Sequence, residues 1–373
     1  MRLSISKKIA QWAGLLSRAL LGKSGETLPG KILLTLYPKA LTVLSQGRSI
    51  IVVSGTNGKT STTKALTQII SQLGPTVSNK TGSNLDRGCV SALMTPSKYA
   101  VLEVDELYLP SIIAATNPAL VLLLNLSRDQ LHRMHEVKRV AARWAAAVNA
   151  APQTTFVADV DDPFLQFAIM KAHKHISVSF GGRKHPDAAA CPSCGLYLQW
   201  TDTTYSCSCG LSNTNVDVVL SNGSASYRNS ELANIAGEIV GATRIPIDAK
   251  ELDRSFIKIV AEVRCSIRLV KNPASWSEAL QSINGSNVIL ILNARQVDGI
   301  DTSWIWDVSF DTLKGKNITV TGERAIDLAY RLHVAGIENV IATDFESAVH
   351  RYASSNSVEV LAAYTAFFSL ATQ

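Results

Sequence analysis

The sequence predicts an α/β protein of two parallel-sheet domains, the first carrying a small cysteine-rich insertion. Three observations predict it. Ile50 to Val53, four β-branched residues, run into a glycine turn and then a helical pattern. Short apolar strands alternate with helical patterns along most of the chain. Between Gly181 and Gly210 the alternation stops and the composition changes to Gly, Pro, Cys and Ser. A length of 373 residues gives room for two domains, and 46% hydrophobic with 18% charged residues describes a globular chain with a sizeable core. The formal charge of +6 is mild and no dense Lys/Arg block occurs, so small anionic substrates fit better than a nucleic-acid groove.

Taken in order, Ile9, Trp12, Leu16 and Leu20 recur at helical spacing and predict an amphipathic helix. Packing on its own domain is the expectation for it, with a membrane surface as the alternative. Gln11, Ser17 and Arg18 interrupt the apolar stretch, no convincing cleavage site follows, and no run is long enough to span a bilayer; a cytoplasmic protein is expected. Lys31 to Leu44 predicts a helix bent near Pro38. Strands are predicted at Thr76–Asn79, Ala100–Val104, Ala119–Leu124 and Thr155–Ala158, with an alanine-rich helix over Val137–Ala150. Val216–Leu220 and Ser224–Tyr227 predict a hairpin turning at Asn222-Gly223, followed by a helix from Ser230. The domain boundary is placed near residues 245–253, giving domains of 1–250 and 251–373. Beyond it, strands are predicted at Cys265–Val270, Asn287–Leu292, Asn317–Thr321, Asn339–Ala342 and Ser357–Leu361.

Four stretches carry candidate chemistry, and a fifth is crowded with acids. In the first, Ser54-Gly55-Thr56-Asn57-Gly58-Lys59-Thr60-Ser61 joins a strand to a helix. Backbone N–H groups of such a turn and of the helix N-terminus point at an anion. Lys59 adds a positive charge on the outer phosphates, and the Thr60 hydroxyl is placed to hold magnesium. The common pattern has a further glycine where Val53 stands. In the second, Glu103 ends an apolar strand, the edge at which doubly wound sheets bind ligands, and suits a second position on that magnesium. A solvated loop acid describes Asp105 and Glu106 better.

The third candidate follows the strand Ala119–Leu124: Asn125 and Asp129 are placed to touch nucleotide, metal or substrate. His132 is a ligand, a base or a helix-surface residue. In the fourth, Cys191-x-x-Cys194 and Cys207-x-Cys209 lie on two tight turns across a hairpin, the pattern of a tetrahedral zinc site in an insertion at about 186–215. Two disulfides are the other reading, disfavoured in a reducing compartment. Asp298, Asp301 and Asp307 crowd a loop with Trp304 and Trp306. An acid there could orient a histidine or hold a cation, or simply cap a turn.

Together these residues resemble the Mur ligase family, and within it the MurT-type subunit of lipid II isoglutaminyl synthase. The resemblance rests on Ser54 to Thr60, Glu103-Val104-Asp105-Glu106, Asn125 to Arg133 and the four cysteines. It also rests on Lys271-Asn272-Pro273-Ala274, Asp298-Gly299-Ile300-Asp301-Thr302-Ser303-Trp304 and Ala363-Tyr364-Thr365-Ala366. It implies a Mur-ligase-like central nucleotide-binding domain with an inserted four-cysteine zinc ribbon, then a Rossmann-like α/β C-terminal domain. It further implies an ATP-dependent ligase that pairs with a GatD-type glutaminase and amidates the α-carboxyl of D-glutamate in the lipid II stem peptide, peripheral to the inner face of the membrane. ATP, Mg2+ and Zn2+ are the implied cofactors, with Gly55, Thr56, Asn57, Gly58, Lys59, Thr60, Ser61, Glu103 and Asn125 around the nucleotide. By motif, Asp301 is the aspartate that completes the glutaminase's Cys-His pair. Departures from the family pattern fall at His132, Ser275, Ala294 and Glu231 to Ala236. A stand-alone Mur or folylpolyglutamate-type ligase is the nearest alternative. A nucleic-acid-binding zinc ribbon is another, for which only Arg183, Lys184 and His185 supply basic character.

Overall fold

The computed structural model describes residues 3–372 apart from 22–26, 80–82, 130–135, 183, 249–251 and 253, and for 16–21 the backbone alone. The chain forms two compact units, Met1–Ser127 with Glu136–Leu252, and Arg128–His135 with Asp253–Gln373.

The first unit is built on a seven-stranded parallel sheet. Its strands are β1 (Ser49–Ser54), β2 (Thr76–Ser78), β3 (Tyr99–Val104), β4 (Leu120–Leu123), β5 (Thr155–Asp159), β6 (His175–Ser179) and β9 (Val218–Val219). They are ordered β2-β3-β1-β4-β5-β6-β9. The inserted ribbon, between β6 and β9, carries the short hairpin β7 (Gln199–Trp200) and β8 (Tyr205–Ser206). Both faces of the large sheet are covered, so β1 and β3 read as continuous apolar runs rather than alternating ones. Ile51 and Val53 meet Leu66 and Ile69 of the helix Lys59–Ile70 and Leu232 and Ala236 of the helix Ala225–Val240. The chain leaves β1 toward β3 on one side and later builds β4, β5 and β6 on the other. The C-terminal end of β1 is therefore the switch point at which such sheets open a ligand crevice.

The helix expected to bend at Pro38 is two helices, Leu28–Leu36 and Ala40–Ser45. Proline has no N–H to continue the ladder, and it keeps the residue before it out of the helical region. The expected hairpin at Asn222-Gly223 is absent. Val218–Val219 instead pairs parallel with β6, and Ser224 caps the helix Ala225–Val240 by accepting the Tyr227 N–H at 3.2 Å. The N-terminal helix Leu3–Leu21 leaves Ile9 and Trp12 of the expected stripe exposed and turns Ser6, Ala10 and Gly14 inward; the side chains of Leu16 and Leu20 lie outside the described residues. No helix among the described residues is long and apolar enough to cross a membrane.

The second unit has a six-stranded sheet. Its strands are β10 (Ser255–Val260), β11 (Val263–Leu269), β12 (Asn287–Ile291), β13 (Asn317–Thr321), β14 (Val340–Ile341) and β15 (Ser357–Ala362). They are ordered β10-β11-β15-β12-β13-β14. All neighbours run parallel except the edge hairpin β10–β11. Alternation on β12 feeds two cores. Val288 and Leu290 join Trp276 and Leu328 on one face, and Ile289 and Ile291 join Ala348 and Phe367 on the other.

Candidate active site

The register of the first sheet gathers the predicted nucleotide residues at one edge. Glu103 lies opposite Val53, and Val104 and Leu123 flank Ser54, so the turn after β1, the end of β3 and the segment after β4 leave the sheet side by side. Gly55 has φ +146° and a Cβ there would stand 3.0 Å from the Asn125 backbone. Gly58 caps the helix Lys59–Ile70 at φ +82°, a left-handed conformation that favours glycine, and a Cβ would come within 2.3 Å of Asn229 Nδ2. Asn229 was invisible as a site residue in the sequence, since its place beside Gly58 depends on the fold of the helix Ala225–Val240.

Asn125 braces the turn. Its Oδ1 accepts the Asn57 N–H at 2.8 Å and its Nδ2 donates to the Asn57 carbonyl at 3.0 Å, while its own carbonyl accepts the Thr56 N–H at 2.9 Å. The Thr56 hydroxyl accepts the Ser127 N–H at 3.0 Å. Thr56 and Asn57 N–H groups are thus engaged within the protein, whereas the Gly58, Thr60 and Ser61 N–H groups of the first helical turn have no intrahelical acceptor, the arrangement that lets a helix N-terminus receive an anion. The Ser61 hydroxyl donates to the Leu252 carbonyl at 2.8 Å.

Lys59 is 9% exposed. Its ammonium donates to the Gly55 carbonyl, to the Thr56 carbonyl at 3.2 Å and to Glu106 Oε2 at 2.9 Å. Glu106 is therefore not the solvated loop acid it resembles in the sequence: it is 2% exposed and ion-paired, and its carbonyl accepts the Trp144 indole N–H at 2.8 Å. Glu103 is equally buried, and both its backbone groups bond the Asn79 side chain, at 2.8 and 2.7 Å.

A buried acidic cluster ties the cysteine insertion to this edge. Asp162 accepts the Leu126 N–H at 2.7 Å and the Phe164 N–H at 2.8 Å, and lies 3.5 Å from His185 Nε2. Asp161 accepts the Phe180 and Gly182 N–H groups, where the chain leaves β6, and Asn213 Nδ2, where it returns. Arg228, one residue before Asn229, pairs with Asp159 through Nε at 2.9 Å and with Asp161 at 3.2 Å. Burial outweighs the Arg228 charge and, with Asp161 alongside, holds the Asp159 carboxyl at about 6.

The four ribbon cysteines converge. Their sulfurs all lie within 4.8 Å of one another, with Cys191–Cys209 at 3.6 Å and Cys194–Cys207 at 3.4 Å. All four are free thiols, so the disulfide reading fails. The sulfur separation suits one tetrahedral zinc, since four bonds of about 2.3 Å place sulfurs roughly 3.8 Å apart. The Leu211 backbone N–H draws Cys209 down to about 7, whereas burial pushes Cys191 up to about 12.

In the second unit, Arg128, Asp129, Lys271, Asn272, Asp298 and Asp301 line one open cleft. Lys271 pairs with Asp129 at 3.2 Å and Arg128 with Asp307 at 3.0 Å. Asp298 binds the Thr365 N–H and hydroxyl, each at 2.7 Å, and so holds the loop to the helix Tyr364–Thr372. Asp301 is exposed and accepts the Ser303 N–H at 2.8 Å. Ser275 closes a capping box with Asn272 on the helix Pro273–Gln281. His132 and its neighbours 130–135 lie outside the described residues.

Residues 53–218 match the Mur ligase middle domain, and residues 269–367 match the MurT ligase C-terminal domain. The chain thus joins a Mur ligase middle domain to a MurT ligase C-terminal domain. It is 27% identical over 413 residues to the MurT subunit of lipid II isoglutaminyl synthase (glutamine-hydrolyzing) from Streptococcus pneumoniae, covering 92% of this chain and 90% of that one. It is 28% identical to the Staphylococcus aureus N315 subunit of the same name, covering 88% and 87%. Among solved structures, MurF ligase from Thermotoga maritima in complex with ADP shares the fold with a TM-score of 0.63 at 12% identity, over 92% of this chain and 82% of that chain. As a Mur ligase the chain is an ATP-dependent ligase.

Proposed function

We propose that this Mur ligase is the ATP-using subunit of a two-subunit amidotransferase that converts the D-glutamate α-carboxyl of the lipid II stem peptide to an amide, with a glutaminase as its partner. The match of residues 269–367 to the MurT C-terminal domain, joined in one chain to the phosphate-loop geometry, carries this reading. A carboxylate is a poor electrophile until one oxygen becomes a phosphate leaving group. ATP as substrate supplies that phosphoryl, and ammonia then displaces phosphate from the acyl phosphate. Lys59 would exchange Glu106 for the outer phosphates and offset the charge that develops there, while the first turn of its helix orients them. Thr60 and Glu103 have the oxygen donors for Mg2+, which would neutralise phosphate charge. The four cysteines offer a closed donor set for one structural zinc. Asp301, exposed on its loop, would orient the partner's histidine and stabilise it when protonated. The lipid-linked substrate would bring the chain to the inner face of the membrane.

Amidation of lipid II by this chain with its glutaminase tests the proposal, using glutamine or ammonium as nitrogen source. Wild type should work with both, and Asp301→Asn only with ammonium. Absence of ATP turnover with lipid II under either nitrogen source would remove the substrate assignment. A variant equally active with glutamine would remove the role of Asp301.

A further inference from the structure

The helix Leu3–Leu21 is inverted relative to an ordinary surface helix. Its buried stripe is Ser6, Ala10 and Gly14, spaced four residues apart and all small. Small side chains let it lie close to the next helix: a Cβ on Gly14 would stand 2.6 Å from the Pro29 ring. The large apolar side chains face the other way. Ile5 is 50% exposed, Ile9 44%, Trp12 68% and Leu15 59%. Ile5, Ile9 and Trp12 follow at i, i+4 and i+7, with Leu15 a turn further, so they make one continuous stripe. Lys8 is exposed within the stripe, between Trp12 and Leu15 on the helix surface, and Lys7 is half-buried. The helix sequence holds Lys7, Lys8 and Arg18 and no acidic residue.

A face of Ile, Trp and Leu that carries an exposed lysine, on a helix whose sequence has no acidic residue, has the composition of a helix lying in the plane of an anionic bilayer. Apolar side chains enter the acyl boundary, the indole sits at headgroup depth, and lysines extend to lipid phosphates. We infer that Leu3–Leu21 docks the chain on an anionic membrane surface through Ile5, Ile9, Trp12 and Leu15. The inference deepens the proposed function, on which it rests for the lipid-linked substrate. It brings the enzyme to the surface that holds that substrate.

Co-sedimentation of the full chain with vesicles tests it. Vesicles of phosphatidylcholine alone are compared with vesicles that also contain phosphatidylglycerol. Wild type should pellet with the anionic vesicles and be released by salt. The double variant Ile9→Ser/Trp12→Ser should bind them at least about tenfold more weakly, since interfacial binding scales with the apolar area inserted. Both positions are solvent-exposed, so the melting temperature and the shift that ATP produces in it should not change. Wild type left in the supernatant with both vesicles, or a double variant that pellets like wild type, overturns the inference. So does self-association of wild type that the double variant abolishes, which would assign the face to a second copy of the chain. The ATP-induced shift reads the ligase assignment separately, so vesicle binding without that shift sinks only the proposed function.

Discussion

Glu106→Gln asks whether Lys59 changes partners when nucleotide arrives. The ammonium lies 2.9 Å from Glu106 Oε2, with the two side chains 10% and 3% exposed. Removing one member of a buried ion pair costs about 3–5 kcal/mol. Glutamine keeps a neutral acceptor and the Gly55 and Thr56 carbonyls remain, so the low end, about 3 kcal/mol, is expected. In a unit of this size that lowers Tm by roughly 6–12 °C. The nucleotide-bound protein should suffer less, because phosphate oxygens replace the lost carboxylate. Wild type must give up the Glu106 pair on binding and the variant need not. The ATP-induced rise in Tm should therefore be larger in the variant, and its nucleotide affinity higher by about tenfold for each 1.4 kcal/mol recovered. Thermal unfolding with and without Mg-ATP, together with titration calorimetry, reads both quantities. An equal fall in Tm in both conditions would refute the exchange, and no fall at all would refute the ion pair's contribution.

Gly58→Ala should abolish nucleotide binding and lower Tm. The left-handed conformation alone costs a residue with a Cβ about 1–2 kcal/mol, and the clash with Asn229 adds to it. A further Asn229→Ala change should relieve the clash and not the strain, giving partial recovery by calorimetry. Burial would lower the pKa of His185, but the Asp162 carboxylate, Asp187 and the Leu126 backbone outweigh it and raise it above 6.5. A raised histidine stabilises the fold while protonated, so its contribution is complete below its unfolded pKa and is lost as pH rises through the folded value. His185→Gln should then lower Tm more at about pH 6 than at about pH 8.5, and an equal loss at both would remove the ion pair from the account. Metal analysis should find about one zinc per wild-type chain. Cys207→Ser/Cys209→Ser should hold none and lose order in the ribbon by hydrogen exchange.

That the glycine turn, Lys59 and Glu103 would emerge at one sheet edge was legible because the signals are local. Gly58, Lys59 and Thr60 are neighbours, and the apolar runs of β1 and β3 announce where the turn and Glu103 emerge. Asn79, Glu106 and Asn229 were not legible, since each owes its place to a contact across 24 or more residues. Asn222-Gly223 misled for a different reason. The dipeptide favours a hairpin, but Ser224 offers a helix cap to Tyr227, and the capped helix buries Leu232 and Ala236 in the core. The N-terminal helix shows the limit of periodicity. Spacing announces two faces and is silent on which one the fold covers, and here the small face is covered. In the second unit, β10 was missed although Phe256, Ile257, Ile259 and Val260 are apolar: it follows directly on the stretch read as the domain boundary, and it pairs antiparallel at the sheet edge, outside the strand–helix alternation that marks the parallel strands.

Asp161 sits where the chain departs from β6 and where it comes back, bonding Phe180 and Gly182 on the way out and Asn213 on the return. The ribbon therefore hangs from a pinched neck, and the entropy of closing that long loop is met at the neck instead of along the sheet. Beyond the neck the ribbon has a further mooring: Tyr205 of its hairpin is buried and its hydroxyl donates to the Val160 carbonyl at 2.9 Å, just past β5. Loosening the cysteine end would therefore be felt at that strand end first, while the remaining strands keep their register.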